Sequence, residues 1–384
     1  MISLCRAYLY GESVTLDENV DFFRLYRLSN AHNLSAIVFC VLNTAKNKDA
    51  VPLNAFKRFE NDFMEAVIRY DFQSAQKAEI GALLEKSGVR HVFFKGAELR
   101  ELYPVPEARA MGDVDVLIDE AEREKVKSLM TADGFECRAS NGNVYEYTKN
   151  GLLCEMHTKI ISGKIGGCDL EKAFDDAISH AEFSGYTGSL DINYHLAYLI
   201  AHTAHHFWFY GAGAKLILDL AVVLKTCDID IDVVLKILSS CGLGDFARVI
   251  LSVTQKWFGC GRDFGTDTAS TEKFLLSYGA FGNSGRNKAA VIKRKDMESG
   301  GKGGNIGTKL RLLFPPYEKM RNIPYISFID GKPYLVPAAW AYRAYYNLKN
   351  RRDFAKNATS ALSSDETKKE AQRELSFFRE IGLL

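Results

Sequence analysis

Apolar positions recur at three- and four-residue spacing through the first part of the chain. Phe22, Leu25, Tyr26 and Leu28, and then Ile37, Val38, Val41 and Leu42, predict helices within residues 16–48. A longer stripe runs from about Asn54 to Lys86, carried by Phe56, Phe59, Phe63, Val67, Tyr70, Ala78, Leu83 and Leu84. Pro52 precedes it and Ser87-Gly88 closes it with a helix-stop signal.

The period then changes from helical to alternating. Val89–Phe94 (VRHVFF) and Asp113–Ile118 (DVDVLI) predict short strands, separated by a brief helix over Ala97–Tyr103 and a loop over 107–112. Glu120–Asp133 reads as an amphipathic helix ended by Gly134. Phe135–Arg138, Val144–Thr148 and Leu152–Ile160 predict three more strands, with Asn141-Gly142 and Asn150-Gly151 as hairpin turns between them. Helical spacing returns from Tyr194 to about Gly259, clearest over His195–Tyr210 and Ala214–Thr226. A final helix is expected from Ala338 to about Ala358. The pattern divides the chain into an N-terminal helical region (1–87), a mixed α/β unit (88–165), a helical domain (166–280), and a basic Gly-rich loop with a C-terminal helical region (281–384).

Composition narrows the classes. The 384 residues are 47% apolar and 25% charged, which excludes a disordered or collagen-like chain. With 49 basic and 48 acidic residues the chain lacks an overall basic field, so any nucleic-acid contact must come from a local patch. The local candidate is Arg286–Arg321, with ten Lys or Arg against three acids, around Gly300-Gly301, Gly303-Gly304 and Gly307. It reads either as a solvated loop or as a seat for an RNA backbone. The eight cysteines are scattered without a Cys-x-x-Cys pair and mostly lie in apolar segments, the pattern of reduced core thiols rather than of a zinc site. No apolar run is long enough to span a bilayer, and Met1–Glu12 lacks a signal-peptide core, so no membrane partner is expected and the compartment expected is the cytoplasm.

The chemistry concentrates between Lys95 and Glu155. Asp113 and Asp115 are two apart on a predicted strand, so both carboxylates leave the same face while Val114, Val116 and Ile118 enter a core. Adjacent carboxylates repel unless a cation lies between them, and hard oxygens suit Mg²⁺ or Mn²⁺ together with phosphate oxygens. Glu155 is a lone acid in the apolar strand LLCEMHTKI, costly to bury unless paired or metal-bound, and His157 shares its face. A salt bridge to a buried Arg or Lys is the alternative for Glu155. Lys95-Gly96 stands where a strand hands over to a helix, a place suited to phosphate or to a plain turn with a solvated lysine. Gly112 allows a sharp entry into the strand and close approach of a ligand.

In this order — strand, Lys-Gly, short helix, Arg-x-x-Gly-Asp-x-Asp, helix, strand, strand with Glu — the chain resembles the nucleotidyltransferase superfamily with its DNA-polymerase-β-like palm. More closely, it resembles the uncharacterised bacterial nucleotidyltransferase family in which Lys-Gly replaces the usual Gly-Ser turn. Gly211–Asp219 (GAGAKLILD) after His202, and Leu313–Arg343, share that likeness, which spans roughly residues 16–350. The resemblance implies that Asp113, Asp115 and Glu155 hold two metal ions, Glu155 also helping to deprotonate the acceptor hydroxyl. It implies that Lys95 and Gly96 hold the triphosphate and that Arg109 neutralises phosphate charge. Gly112, His157, His202 and Asp219 join the nucleotide site. No Ser follows Gly96, which removes one hydroxyl for a phosphate oxygen; Lys95 is the residue placed to compensate.

Two further signals have competing explanations. His195, His202 and His206 share a helical stripe, readable as structural histidines, a cleft-facing stripe or a metal pair. Asp219 follows Lys215 by four residues, a local ion pair or a site-facing acid.

The expected architecture is α+β, a small mixed-sheet nucleotidyltransferase palm flanked by N-terminal and C-terminal helical regions. The expected activity is transfer of a nucleoside monophosphate from an NTP such as ATP, with Mg²⁺ or Mn²⁺, to an unidentified acceptor: a protein, an RNA end, a sugar or a small metabolite. A catalytically silent nucleotide-binding or regulatory protein and an RNA-binding accessory protein are the alternatives.

Overall fold

The computed structural model describes residues 1–17, 19–139, 142–277, 279–280, 294, 314–320, 323–329, 331–350 and 365–384. The Gly-rich loop, most of the basic stretch and the end of the helix expected after Ala338 lie outside the described residues. The chain divides into a large unit, Met1–Ser284 with Ile381–Leu383, and a smaller one, Gly285–Glu380 with Leu384.

The large unit begins with α1 (Ile2–Tyr10), α2 (Phe22–Ala31), α3 (Ser35–Thr44) and α4 (Leu53–Lys86). The long apolar stripe predicted from Asn54 to Lys86 is α4, while α1 falls within Met1–Glu12, where the periodicity predicts no helix. Next come β1 (His91–Phe94), the one-turn helix α5 (Gly96–Leu99), β2 (Asp113–Ile118), α6 (Arg123–Ala132), β3 (Glu136–Ala139), β4 (Val144–Lys149) and β5 (Leu152–His157). The small pair β6 (Lys164–Ile165) and β7 (Cys168–Asp169), the one-turn α7 (Leu170–Ala173), β8 (Ala181–Ser184) and β9 (Thr187–Leu190) follow. Helices α8 (Ile192–Phe209), α9 (Ala214–Thr226), α10 (Ile231–Ser240), α11 (Gly244–Phe258) and α12 (Ala269–Ser277) complete the unit.

The architecture is α+β. Seven strands form one mixed sheet in the order β3-β4-β5-β2-β1-β9-β8. β2 pairs parallel with β5 and antiparallel with β1, while β9 pairs parallel with β1. The β8–β9 hairpin extends the sheet past the stretch that sequence periodicity marks as mixed. One sheet face is apolar: Val114, Val116 and Ile118 of β2 and Cys154 and Met156 of β5 pack with Ile80 and Leu84 of α4 and Val126 and Met130 of α6. Alternation then forces Asp113, Asp115, Glu155 and His157 onto the opposite face. That face meets α8, whose Tyr198 ring stands 5.7 Å from Phe94. Asp191 caps α8 by accepting from the Tyr194 N–H at 2.9 Å, which fixes where the helix starts beside the sheet.

All eight cysteines are free thiols. Among the described residues no helix is long and apolar enough to cross a membrane. In the smaller unit, α13 (Tyr317–Met320), α14 (Val336–Asn350) and α15 (Asp365–Glu380) are described. Its core gathers Met320, Ile326, Ile329, Val336 and Ala339. Tyr325 stacks on Tyr346 with centroids 4.0 Å apart, and Phe314 meets Trp340 edge-on at 5.1 Å, so these aromatics pack within the unit.

Candidate active site

The parallel register of β2 and β5 sets Asp115 beside Glu155 and Leu117 beside His157. The carboxylates and the imidazole therefore converge without any loop. Asp115 is 2% exposed, and one of its oxygens, Oδ1, accepts from two donors. Lys95 Nζ stands 2.7 Å from it and His157 Nε2 2.8 Å. The same His157 nitrogen lies 3.2 Å from Glu155 Oε2. The partner of Glu155 is thus a histidine two residues along its own strand, not a buried Arg or Lys.

Charge and burial oppose each other here. Burial pushes the Asp115 carboxyl up, but the Lys95 ammonium and the His157 hydrogen bond outweigh it and hold the pKa at about 2. Asp113 lacks such partners; burial, then the Asp115 charge, raise it to about 6. Burial lowers the His157 pKa, but hydrogen bonds to Asp115 and then Glu155 prevail and raise it. Burial also lowers Lys95, and Asp115 more than restores it.

Asp115, Glu155 and His157 bring one ligating atom each within 4.8 Å of one another. Asp113 stands outside that group, and His157, expected in the nucleotide site, lies within it. Two carboxylates and an imidazole suit a divalent cation such as Mn²⁺, and the carboxylates suit Mg²⁺. The donor set therefore fits the metal that the sequence implies.

A cavity of about 410 Å³ is lined by Asp113 and Asp115, while Glu155 and His157 stand outside its lining. Lys95, Gly96 and Gly112 line it as well, together with His202, His206 and Lys215 of the helices α8 and α9. Burial lowers the pKa of His202, and burial with the Lys95 charge brings His206 to about 4, so both rings face the cavity as neutral donors or acceptors near neutral pH. His195 is 5% exposed and away from the lining. None of the three belongs to a metal-ligating group among the described residues.

Arg109 and Asp219 also reach the cavity wall, but as a closed pair. Arg109 Nε donates to Asp219 Oδ1 at 2.8 Å and Nη2 to Oδ2 at 3.0 Å. Tyr103 OH adds a bond of 2.6 Å to Oδ1. Lys215, the i−4 neighbour, is farther, at 3.7 Å from Oδ2. The guanidinium expected to meet phosphate is committed to tying the 103–112 loop to α9.

Gly96 lies close against the same loop: a Cβ there would stand 2.9 Å from Met111 Sδ and 3.0 Å from Arg109 Nη1, so both side chains would have to shift. It lets that loop close on β1 as well as leaving room for a ligand. A Cβ at Gly112 would meet nothing within 4 Å, so the backbone before Asp113 is open. α5 is a single turn, which reduces the helix-end contribution to phosphate binding.

Lys95 itself has φ +51 and ψ −128, a backbone region suited to glycine. Among the described residues the other non-glycines with positive φ are Asn33 and Asn150. A lysine there costs about 1–3 kcal/mol of strain.

Lys215 and Arg69 line the cavity without having been singled out for it. Burial, and then the Arg109 charge, bring Lys215 down to about 8. The GAGAKLILD segment was the available signal for Lys215; Arg69 is one charge among many on α4.

The family model described as "Uncharacterised nucleotidyltransferase" matches residues 18–259. A search of curated proteins finds no match. Among solved structures, the Megavirus polyadenylate synthase matches at 12% identity with a TM-score of 0.27, over 40% of this chain and 32% of that chain. The chain thus spans about a third of that structure's length, a likeness too small to carry an argument.

Proposed function

The chain belongs to the uncharacterised nucleotidyltransferase family, and from that premise we propose that it transfers a nucleoside monophosphate from an NTP to an acceptor hydroxyl, releasing pyrophosphate. The observation that carries this reading is the cluster of Asp115, Glu155 and His157, whose Asp115 lines, together with Asp113, a cavity that Lys95 and Lys215 also line. A bound Mg²⁺ or Mn²⁺, held by Asp115 and Glu155 with Asp113 or His157 alongside, would screen phosphate charge and favour ionisation of the hydroxyl.

In this reading the acceptor oxygen bonds to the α-phosphorus as the bond to the bridging oxygen of the leaving pyrophosphate breaks. Glu155, its side chain 21% exposed, receives the hydroxyl proton. His157 holds Asp115 and Glu155 in register through one nitrogen. Lys95 and Lys215 offset phosphate charge from the cavity lining, Gly96 and Gly112 keep the backbone close to the ligand, and His202 borders the nucleotide. Arg109 and Asp219 shape the wall through their pairing. The free thiols support a reducing, cytoplasmic setting.

The test is α-phosphate-labelled ATP, GTP, CTP and UTP incubated in turn with Mg²⁺ or Mn²⁺, the protein and cell extract. Label should move onto a macromolecule or metabolite, and the D113A/D115A variant should lose at least about a thousandfold of that transfer. Metal-dependent nucleotide binding without transfer to any acceptor would replace this reading with a silent nucleotide-binding protein.

A further inference from the structure

Lys95 combines three features that a plain turn lysine does not need. Its backbone is strained, with φ +51. Its ammonium is directed inward, 2.7 Å from Asp115 Oδ1 and 5.2 Å from the Phe94 ring centre, with the side chain only 20% exposed. The carboxylate it holds belongs to the one group of metal-ligating residues found among the described residues, and the oxygen in contact already accepts from His157. A divalent cation drawing on that oxygen meets an ammonium already in contact with it, and the two positive charges repel. Meanwhile Lys95 and Asp113 line the same cavity, so a short movement of a flexible four-carbon stem takes the ammonium from carboxylate to ligand.

We propose that Lys95 is a displaceable internal cation. It neutralises Asp115 until a divalent cation and a triphosphate arrive together, and it then transfers its ammonium from the carboxylate to a phosphate oxygen. This inference rests on the nucleotidyl-transfer reading of the cavity and adds to it a binding order. Metal alone binds weakly because it must expel Lys95 with nothing to receive the ammonium. Triphosphate provides the receiver, so metal and triphosphate strengthen each other's binding by the same factor.

The experiment measures Mn²⁺ binding by the paramagnetic resonance of free Mn²⁺, with and without inorganic tripolyphosphate, which carries the phosphates without a choice of base. The full chain is compared with K95M, K95G, K95R and D115N, each checked for native circular dichroism. The wild type should bind Mn²⁺ at least about tenfold more tightly when tripolyphosphate is present, after correction for Mn²⁺ held by tripolyphosphate in solution. K95M should bind Mn²⁺ alone about tenfold more tightly than wild type, with most of the enhancement by tripolyphosphate gone. K95R keeps the charge and should keep the wild-type pattern. K95G, which suits the backbone at this position, should repeat the K95M result if K95M does not fold.

Unchanged or weaker Mn²⁺ binding in both K95M and K95G, with binding still abolished by D115N, would overturn the displacement while leaving the metal site and the transfer reading intact. Absence of Mn²⁺ binding in every variant, with or without tripolyphosphate, would remove the metal site and the displacement together.

Discussion

Two buried ion pairs border the same cavity and are built on opposite lines. Arg109–Asp219 is bidentate, both partners are at most 6% exposed by side chain, and Tyr103 completes the carboxylate. Lys95–Asp115 is a single contact to one oxygen, shared with His157, and its lysine sits on strained backbone. The first arrangement commits both carboxylate oxygens. The second places both contacts on Asp115 Oδ1 and keeps the cation on a flexible stem. Burial of an acid beside a base therefore does not identify a functional pair; the number of committed oxygens and the strain of the backbone separate a brace from an exchangeable contact.

The largest effect should come from breaking the brace. R109A leaves Asp219 buried with Lys215 at 3.7 Å as its nearest remaining cation. The expected loss is about 3–5 kcal/mol of stability, read from denaturant unfolding. K95M breaks a single contact to an oxygen that His157 still holds, so it should cost less than R109A. Equal losses would erase the distinction between the two pairs.

A middle-sized effect tests the charge balance beside the exchangeable pair. Asp113 has its folded pKa raised to about 6, by burial and then by Asp115. Raised above the unfolded carboxyl value near 3.9, it contributes stability that is fully present below that value and is lost as pH rises through about 6. At pH 8, with chelator present, D113N should be more stable than wild type by about 2 kcal/mol. At pH 4 the gap should close. A gap that is constant with pH would mean that the ionised Asp113 is not penalised by its surroundings.

Much of this site can be read from the chain because it is built from local alternation. DVDVLI places Val114, Val116 and Ile118 in the core and so dictates the side from which Asp113 and Asp115 emerge. LLCEMH does the same for Glu155 and His157, and the α+β class follows from the helical and alternating stretches around them. What escapes the sequence is contact between distant segments. Lys215 is the helical neighbour of Asp219, yet Arg109, far away in the chain, takes both its oxygens. The β8–β9 hairpin is short and half exposed, with little apolar alternation, and it becomes a sheet edge only through parallel pairing of β9 with β1. Gly96 reads as room for phosphate, while its nearest obstacle is Met111. The positive φ of Lys95 has no residue-type signal, because that geometry favours glycine, asparagine or aspartate rather than lysine.

That last point allows a smaller but sharper test. K95M and K95G both remove the ammonium and expose Asp115 to the same loss, so their difference isolates the backbone. Methionine retains a Cβ at φ +51 and with it the strain of about 1–3 kcal/mol. Glycine relieves the strain but gains freedom in the unfolded chain, which offsets about 0.4–1 kcal/mol of the relief. K95G should therefore be more stable than K95M by about 1 kcal/mol in denaturant unfolding, although glycine for methionine at an unstrained position would destabilise. A K95G variant less stable than K95M would mean that the turn relaxes once the ammonium is gone. The strain at residue 95 would then be imposed by the pull of Asp115 on the side chain, rather than by the close packing of Gly96 against the Arg109–Met111 loop.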